Sequence, residues 1–186
     1  MKPFRDSVDQ VLQACAFAAK KHRDQRRKDK QTSPYINHPI ALASVLKHEG
    51  GVDAPIVLTA ALLHDTLEDT DTTPEEIEAQ FGTEVLTVVL AVTDDKTLPK
   101  AERKRLQIEH ATSASHEAKL VKLADKICNL RDLIESPPTD WSDARKAEYF
   151  SWANKVVEGL RGTNEKLEQL FDKIHAEGIR RYSQPV

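Results

Sequence analysis

Four acidic or imidazole side chains lie within six positions of a segment that otherwise has the apolar pattern of a buried helix. His64 and Asp65 interrupt the apolar run that begins at Val57, and Glu68 and Asp69 follow one turn later. Burying an isolated charge is very costly, so such groups normally pair or bind a metal ion. On a continuous helix, with about 100° per residue, the four side chains fall within an arc of about 140°. The spacing therefore predicts that they converge on a metal site.

Two other positions in the chain can complete this site. Asp125 interrupts an apolar helix, and Asn129 and Asp132 continue its polar stripe at spacings of four and three residues. His38 stands at the predicted start of another helix. The candidate metal ligands are therefore His38, His64, Asp65 and Asp125. Taken singly, His38 is better explained as a capping histidine, and Asp125 as an ion-pair partner of Lys or Arg.

Two imidazole nitrogens and two carboxylate oxygens define the chemistry that this ligand set favours. They suit a divalent ion with more than four ligands, so Mn²⁺ or Fe²⁺ is expected rather than a closed structural zinc site. The remaining positions admit water and substrate, and water bound to such an ion can attack phosphorus. Glu68 and Asp69, the candidate catalytic residues, can orient or deprotonate that water or protonate the leaving group. Their spacing does not divide these roles between them.

The elements that position these residues are predicted to be helices. Apolar residues recur at helical spacing from about 6 to 23 and lead into a basic segment, Lys20 to Lys30. Asn37 is predicted to cap a second helix that ends at Gly50. The apolar segment that carries His64 is predicted as one continuous helix.

The second half of the chain continues the helical pattern. Thr73 opens a capping box for a short helix that Gly82 closes. Residues 83–93 have strand propensity, but their length and their helical neighbours favour a helix. Later helices are predicted at about 100–111, at about 120–136 before Pro137, at about 142–162, and from a cap at Thr163 to about 178.

The chain as a whole is predicted to be one all-α domain. Its 186 residues, 39% hydrophobic and 31% charged, can bury a core without disulfides. We expect an HD-type bundle of eight or nine helices over 1–186, with its motifs at about 16–132 and C-terminal helices at about 142–178. Cys15 and Cys128 are expected to be reduced core residues of a cytoplasmic protein. A net charge of −3 and the lack of 18 consecutive apolar residues argue against nucleic-acid and membrane partners.

Several stretches of this sequence together resemble a known family. They read HRDQRRKD at 22–29, PYINHP at 34–39, AALLHDTLEDT at 60–70, KLADKICNLR at 122–131, TDDKTLP at 93–99 and YFSWA at 149–153. With the order of the candidate ligands, they resemble the HD-domain phosphohydrolases. Within these, the chain is similar to the alarmone hydrolases of the RelA/SpoT group, in particular to the stand-alone small alarmone hydrolases of the metazoan type.

The resemblance implies a specific activity. Its substrate would be guanosine 3′,5′-bispyrophosphate (ppGpp) and the pentaphosphate pppGpp, cleaved to pyrophosphate and GDP or GTP with Mn²⁺. It assigns the metal to the four candidate ligands and the catalytic role to Glu68 and Asp69. It also implies substrate contacts from Arg27, Lys28, Tyr35, Lys100, Asn129, Arg145 and Tyr149. A synthetase domain has no room in 186 residues, so degradation alone is expected. Trp141 and Trp152 are assigned to the core.

Other interpretations stay open at this point. Metazoan-type relatives have been linked to removal of a phosphate from NADPH, which makes an NADPH phosphatase or another HD-type phosphohydrolase the alternative. A nucleotide sensor without turnover is disfavoured because Glu68 and Asp69 are both retained. By charge alone the basic segment also fits a solvated face or a nucleic-acid patch. Asp132 replaces the small hydroxyl residue that bifunctional members usually carry near the base. A homo-oligomer is left open.

Overall fold

Residues 6–182 are described by the computed structural model, and they form ten α-helices. The helices are α1 (Ser7–Lys21), α2 (Asn37–Ser44), α3 (Pro55–Leu63), α4 (Thr66–Asp69), α5 (Pro74–Phe81), α6 (Thr83–Val92), α7 (Lys100–Ala111), α8 (His116–Glu135), α9 (Asp143–Glu158) and α10 (Glu165–Tyr182). Val45–Glu49 continues α2 as a π-helical turn. Within 6–182 the only strand-like pairing is an isolated bridge between Arg26 and Pro34. The predicted all-α fold is confirmed, and nine helices remain when the single turn α4 is set aside.

Local capping signals explain several helix boundaries. The Thr73 side chain accepts from the Glu76 backbone N–H while Glu76 reaches back to the Thr73 backbone, so the predicted capping box is present. Gly82 follows at φ +90°, a conformation that side chains with a Cβ rarely adopt. Two predicted caps are wrong. Asn37 does not cap α2, because it is the first residue of that helix. Helix α10 is capped by Asn164 and not by Thr163, since the Asn164 side-chain oxygen accepts from Leu167 N–H at 3.1 Å.

The core of the fold lies around α3 and α8. Helix α3 is apolar almost all round, and it packs against α1, α2, α6 and α8. Helix α8 is 20 residues long and packs against α2, α3, α6, α9 and α10. Residues 83–92 form helix α6 against α3, which confirms the helical assignment over the strand alternative. Polar side chains that directly follow α3 therefore meet those of α8 in the interior, and the active-site candidates are among them.

The segment that carries His64 is broken, which corrects the prediction of one continuous helix. Helix α3 ends at Leu63, and Asp65 has φ −100° and ψ 0°, outside α-helical geometry. The Thr66 hydroxyl donates to the Leu63 carbonyl at 2.7 Å, which satisfies a backbone oxygen left free by the break. The chain restarts as α4. His64 and Asp65 thus lie in a turn, and the single 140° face does not exist.

The two cysteines are both free thiols. Cys128 is buried on α8, and burial raises the pKa of its thiol, so it is an unreactive core residue as predicted. Cys15 is half-buried and packs against the core from α1. Across the described helices, none combines the length and the apolar character needed to cross a membrane.

Candidate active site

The predicted metal ligands lie together at the point where α2, α3 and α8 meet. The candidate ligand atoms of His38, His64 and Asp65 all lie within 4.8 Å of one another. Asp125 approaches from α8, with its Oδ1 3.2 Å from His38 Nε2 and 4.0 Å from His64 Nε2. Both imidazoles are buried. Four side chains from three separate parts of the sequence thus form one group, here called the ligand cluster.

The imidazole of His64 fits a divalent metal. Its Nδ1 lies 2.8 Å from the Ala61 carbonyl oxygen, which can only accept, so Nδ1 carries a proton. This orients Nε2 toward Asp65, whose Oδ2 is 2.9 Å away. The Nε2 atom is shielded from water and has no hydrogen bond of proper geometry among the described residues. A buried nitrogen that faces carboxylates, with its ring held by a backbone carbonyl, is the arrangement found in metal-binding histidines.

Charge in the ligand cluster is strongly coupled. Burial opposes the charged form of His64, but Asp65 and Asp125 outweigh burial and raise the pKa of the imidazole to about 9. Burial also opposes the charge on Asp65, yet His64 and His38 hold the pKa of that carboxyl below its usual range. Burial opposes the charge on Asp125 as well, but Lys126 and His38 outweigh burial and keep the pKa of this carboxyl well below its ordinary value. The metal-free cluster therefore holds two carboxylates and a protonated His64 at neutral pH.

We expect metal binding to displace the proton of His64. With the pKa at about 9, the apparent dissociation constant for Mn²⁺ should fall about tenfold per pH unit between pH 7 and pH 8. Calorimetric titrations in buffers of different ionisation enthalpy should show about one proton released per ion at pH 7. A pH-independent affinity with no proton release would contradict this assignment of His64.

Several side chains that are not part of the ligand cluster donate hydrogen bonds to its two carboxylates. The Tyr35 hydroxyl donates to Asp65 Oδ2, and burial with the nearby Asp65 charge raises the pKa of that phenol. Asn129 Nδ2 donates to Asp125 Oδ1 at 2.6 Å. The buried Lys126 donates to Asp125 Oδ2 at 2.9 Å. Tyr35 and Asn129, which the resemblance assigned to substrate, therefore hold oxygens of the candidate metal ligands.

The two candidate catalytic carboxylates contact different parts of the structure. Glu68 Oε2 accepts from the Asp94 backbone N–H at 3.2 Å, and Arg103 approaches Oε1 at 3.4 Å. Asp69 accepts instead from Gln25 Nε2 at 2.9 Å and from Lys96. Burial, aided by neighbouring carboxylates, raises the pKa of Glu68, which makes its carboxylate a stronger base than an exposed one.

A cleft of about 650 Å³ opens on one side of the ligand cluster. His38 and Asp69 are among the residues that line it. Five of the predicted substrate-binding residues line it, namely Arg27, Lys28, Tyr35, Asn129 and Tyr149. Trp141, assigned to the core by its type, is half-buried and forms part of the cleft wall. The volume suits a nucleotide-sized ligand, since small-molecule pockets span about 300–1,000 Å³.

Basic and aromatic groups alternate along this cleft. The Arg27 guanidinium pairs with Asp132 and lies 5.7 Å from the centre of the Tyr35 ring. Lys28 is exposed beside it. Burial raises the pKa of Tyr149 to about 12, so its hydroxyl is neutral. Paired guanidinium donors and flat rings are suited to phosphate and to a nucleobase, respectively.

Two predicted substrate contacts are placed elsewhere. Lys100 is exposed at the first position of α7 and does not line the cleft. Arg145 is exposed on α9 with its guanidinium 4.2 Å from the Trp141 ring centre, so it reaches the cleft only through that tryptophan.

Sequence patterns alone missed several residues around the site. His22 is 2% exposed, its Nδ1 lies 2.5 Å from Gln25 Oε1, and its ring lies 4.8 Å from that of Tyr35. Burial lowers the pKa of His22, so it packs behind Tyr35 as a neutral ring. Lys96 and Lys126 contact carboxylates of the site. Lys126 carried a readable signal, because it interrupts the apolar stripe of α8 directly after Asp125.

Comparisons with known proteins agree with this geometry. The family model described as an HD domain matches residues 14–151. A Xenopus tropicalis protein named guanosine-3′,5′-bis(diphosphate) 3′-pyrophosphohydrolase MESH1 is 61% identical over 164 residues, covering 88% of this chain and 92% of its own length. The Homo sapiens protein of the same name is 61% identical over 165 residues, with 89% and 92% covered.

A solved structure shares the fold over nearly the whole chain. It is described as a metazoan ortholog of SpoT that hydrolyses ppGpp, and it superposes with a TM-score of 0.88 at 51% identity. The match covers 90% of this chain and 94% of that one. The ligand cluster, the adjacent acidic pair and these matches lead to one conclusion: the chain belongs to the HD-domain family and, within it, to the MESH1-type guanosine-3′,5′-bis(diphosphate) 3′-pyrophosphohydrolases.

Proposed function

We propose that this protein hydrolyses the 3′-pyrophosphate of ppGpp and pppGpp, giving pyrophosphate and GDP or GTP, with Mn²⁺ as its metal. The observation that carries the proposal is a cluster of two buried imidazoles and two carboxylates beside a cleft of nucleotide size. Relatives with this named activity at 61% identity support the choice of substrate. A ligand set of two nitrogens and two oxygens supports Mn²⁺ over a closed zinc site.

The ligand cluster holds the metal through His38, His64, Asp65 and Asp125. When bound there, a divalent ion polarises a phosphoryl oxygen and lowers the pKa of water. The Ala61 carbonyl fixes the His64 ring, and the Tyr35 hydroxyl and the Asn129 amide hold one oxygen each of the two carboxylates. These contacts preset the cluster, so little reorganisation is needed when substrate arrives.

The cleft holds the rest of the substrate. Arg27 and Lys28 supply positive charge to the diphosphates, and the half-buried rings of Tyr149 and Trp141 form flat walls for a base or ribose. Asp69 lies on the cleft side of the cluster, where the 3′-oxygen departs, while Glu68 lies away from the cleft. Chain residues thus bind the nucleotide at one end and place its 3′-diphosphate at the ligand cluster.

A parallel assay tests the proposed function. The purified protein with Mn²⁺ is incubated with ppGpp and, separately, with NADPH, and the products are separated by ion-exchange chromatography. We expect pyrophosphate and GDP from ppGpp, with turnover lost on chelation and restored by Mn²⁺. Orthophosphate release from NADPH without cleavage of ppGpp would overturn the choice of substrate. Binding of ppGpp without turnover under any divalent ion would overturn the enzymatic assignment.

A cytoplasmic location belongs to this proposal. Two free cysteines, one buried and one half-buried, are typical of a reducing compartment, and the cytosol also contains guanine nucleotides. That residues 1–186 act as one domain is likewise proposed. The described helices support this by burying their apolar side chains in a common core.

A further inference from the structure

Two spaces of very different size border the ligand cluster. The cleft is lined by His38 and Asp69. A cavity of about 60 Å³, here called the inner cavity, is lined by His64, Asp65 and Asp125 and also by Glu68. Among the described residues the two spaces share no lining residue, so the acidic pair is divided between them.

Lys122 is an unpartnered cation in the wall of the inner cavity. It lies on α8, one turn before Asp125, and only 8% of it is exposed. Within residues 6–182 its ammonium has no hydrogen bond and no carboxylate within 4.0 Å. Burial and the neighbouring Lys126 lower the pKa of Lys122, while more distant carboxylates oppose that effect. An ammonium on a largely buried side chain, with no hydrogen-bonding group of the described chain beside it, must be solvated by water in the space that it reaches.

An unpartnered acceptor faces the same space. Gln107 also lines the inner cavity, and its Nε2 donates to Asp94 Oδ2 at 2.7 Å, which fixes the amide orientation. The other end of that amide, Oε1, is buried and has no hydrogen-bond partner among the residues described. Lys122 offers donors, Gln107 an acceptor and Glu68 a carboxylate. Buried water requires two to four polar partners of this kind, and about 60 Å³ is enough room for it.

Displacement at phosphorus requires the attacking and leaving oxygens to lie roughly in line. Of the two spaces, the cleft of about 650 Å³ has room for the nucleoside and the inner cavity of about 60 Å³ does not, so the 3′-oxygen departs toward the cleft. The attacking water must then approach away from the cleft, and the inner cavity is a space beside the ligand cluster that shares no described lining residue with the cleft. This step rests on the proposed function, since it assumes a nucleotide 3′-diphosphate as substrate.

We propose that the inner cavity supplies the attacking water and that Lys122 is a catalytic residue there, holding this water together with Gln107 and Glu68. The water oxygen forms a bond to the phosphorus attached to the 3′-oxygen as that phosphorus–oxygen bond breaks. One proton of the water passes to Glu68, and the 3′-oxygen takes a proton from solvent in the cleft. Pyrophosphate keeps the new oxygen, and the nucleotide leaves with a 3′-hydroxyl.

Substitution of Lys122 tests its role. Lys122→Met removes the charge but keeps most of the volume, and we expect kcat on ppGpp to fall about 10²-fold, the loss typical of one preorganised electrostatic group. KM and the calorimetric affinity for Mn²⁺ should change less than about threefold, because Lys122 contacts neither the cleft nor a metal ligand. Lys119→Met, one turn earlier on α8 and outside both cavities, is the matched control and should keep full activity.

Chemical rescue separates charge from packing. In Lys122→Ala, propylammonium at constant ionic strength should restore kcat at least tenfold, whereas 1-propanol of similar size should not. Equal rescue by both, or full activity of Lys122→Met, would overturn the catalytic role. A loss of Mn²⁺ affinity as large as the loss of kcat would show that Lys122 only supports the ligand cluster. This too would overturn the proposal.

Oxygen-18 water locates the bond that breaks. Pyrophosphate formed in this water should carry the label, and GDP should not; label in the GDP 3′-hydroxyl would overturn attack at phosphorus. The wild-type protein is assayed first. If it does not hydrolyse ppGpp but cleaves another phosphate ester, the proposed substrate is wrong. The Lys122 variants are then measured on that ester.

Discussion

Replacing Asp65 with Asn is expected to lower the rate of pyrophosphate release by about 10³-fold or more, because Lewis-acid catalysis contributes several kcal/mol. Asp65 belongs to the ligand cluster, and its Oδ2 lies 2.9 Å from His64 Nε2. An amide oxygen keeps an acceptor for the Tyr35 hydroxyl but removes the negative charge. The metal then loses a charged ligand while the hydrogen-bond frame stays in place. The measurements are the turnover rate and the bound Mn²⁺ per chain.

Loss of Asp65 should also change the titration of the cluster. Asp65 is the strongest of the neighbours that raise the pKa of His64, so the variant imidazole should lose its proton at lower pH. The steep pH dependence of Mn²⁺ affinity between pH 7 and pH 8 should therefore flatten. Asp71→Asn is the matched control, since Asp71 is an exposed carboxylate paired only with Lys21 at the surface. Asp65→Asn protein that keeps wild-type turnover would refute the metal site.

Replacing Glu68 with Gln is expected to lower kcat by about 10²–10⁴-fold, the range for loss of a general base. Glu68 faces the inner cavity and is anchored by the Asp94 backbone N–H and by Arg103. Gln keeps the size and an acceptor oxygen but cannot take up a proton. Asp69→Asn is the informative comparison because Asp69 faces the cleft. We expect Asp69→Asn to raise KM as well as lower kcat, whereas Glu68→Gln leaves KM near the wild-type value.

The pH profile gives an independent measure of Glu68. Burial raises its pKa above the ordinary carboxyl value, so the base is lost as the pH falls through that raised pKa. With metal kept saturating, kcat of the wild-type protein should thus decline on the acid side as this carboxylate takes up its proton. This acid limb should be absent from the residual activity of Glu68→Gln. If Glu68→Gln shows the same acid-side decline of kcat as the wild-type protein, the decline belongs to another group.

Much of the helical layout was predictable because its signals are local. The capping box at Thr73, the turn at Gly82 and the bounds of α7 at 100–111 each depend on residues within a few positions of one another. Helix α6 was harder, because Val and Leu fit strands as well as helices. Its packing against α3 accounts for the outcome.

The break at Asp65 was not predictable from periodicity. An apolar run with hydrophilic residues at helical spacing has the same pattern whether the helix continues or restarts after a turn. The difference comes from the Thr66 hydroxyl, which bonds the Leu63 carbonyl, and from long-range contacts of His64 with Asp125 and of Asp65 with Tyr35. Such contacts join residues dozens of positions apart, so no window along the chain contains them.

The sequence by itself determined the helices, through caps and apolar spacing, and the kinds of ligand that His38, His64, Asp65 and Asp125 can provide. Tertiary structure alone decided that these side chains border both a large cleft and a small cavity. It also decided that Glu68 and Asp69, neighbours in the chain, line different spaces. The physical reason is that burial and direction depend on how α3, α4 and α8 pack. Packing also left Lys122 as a buried cation facing space sufficient for water.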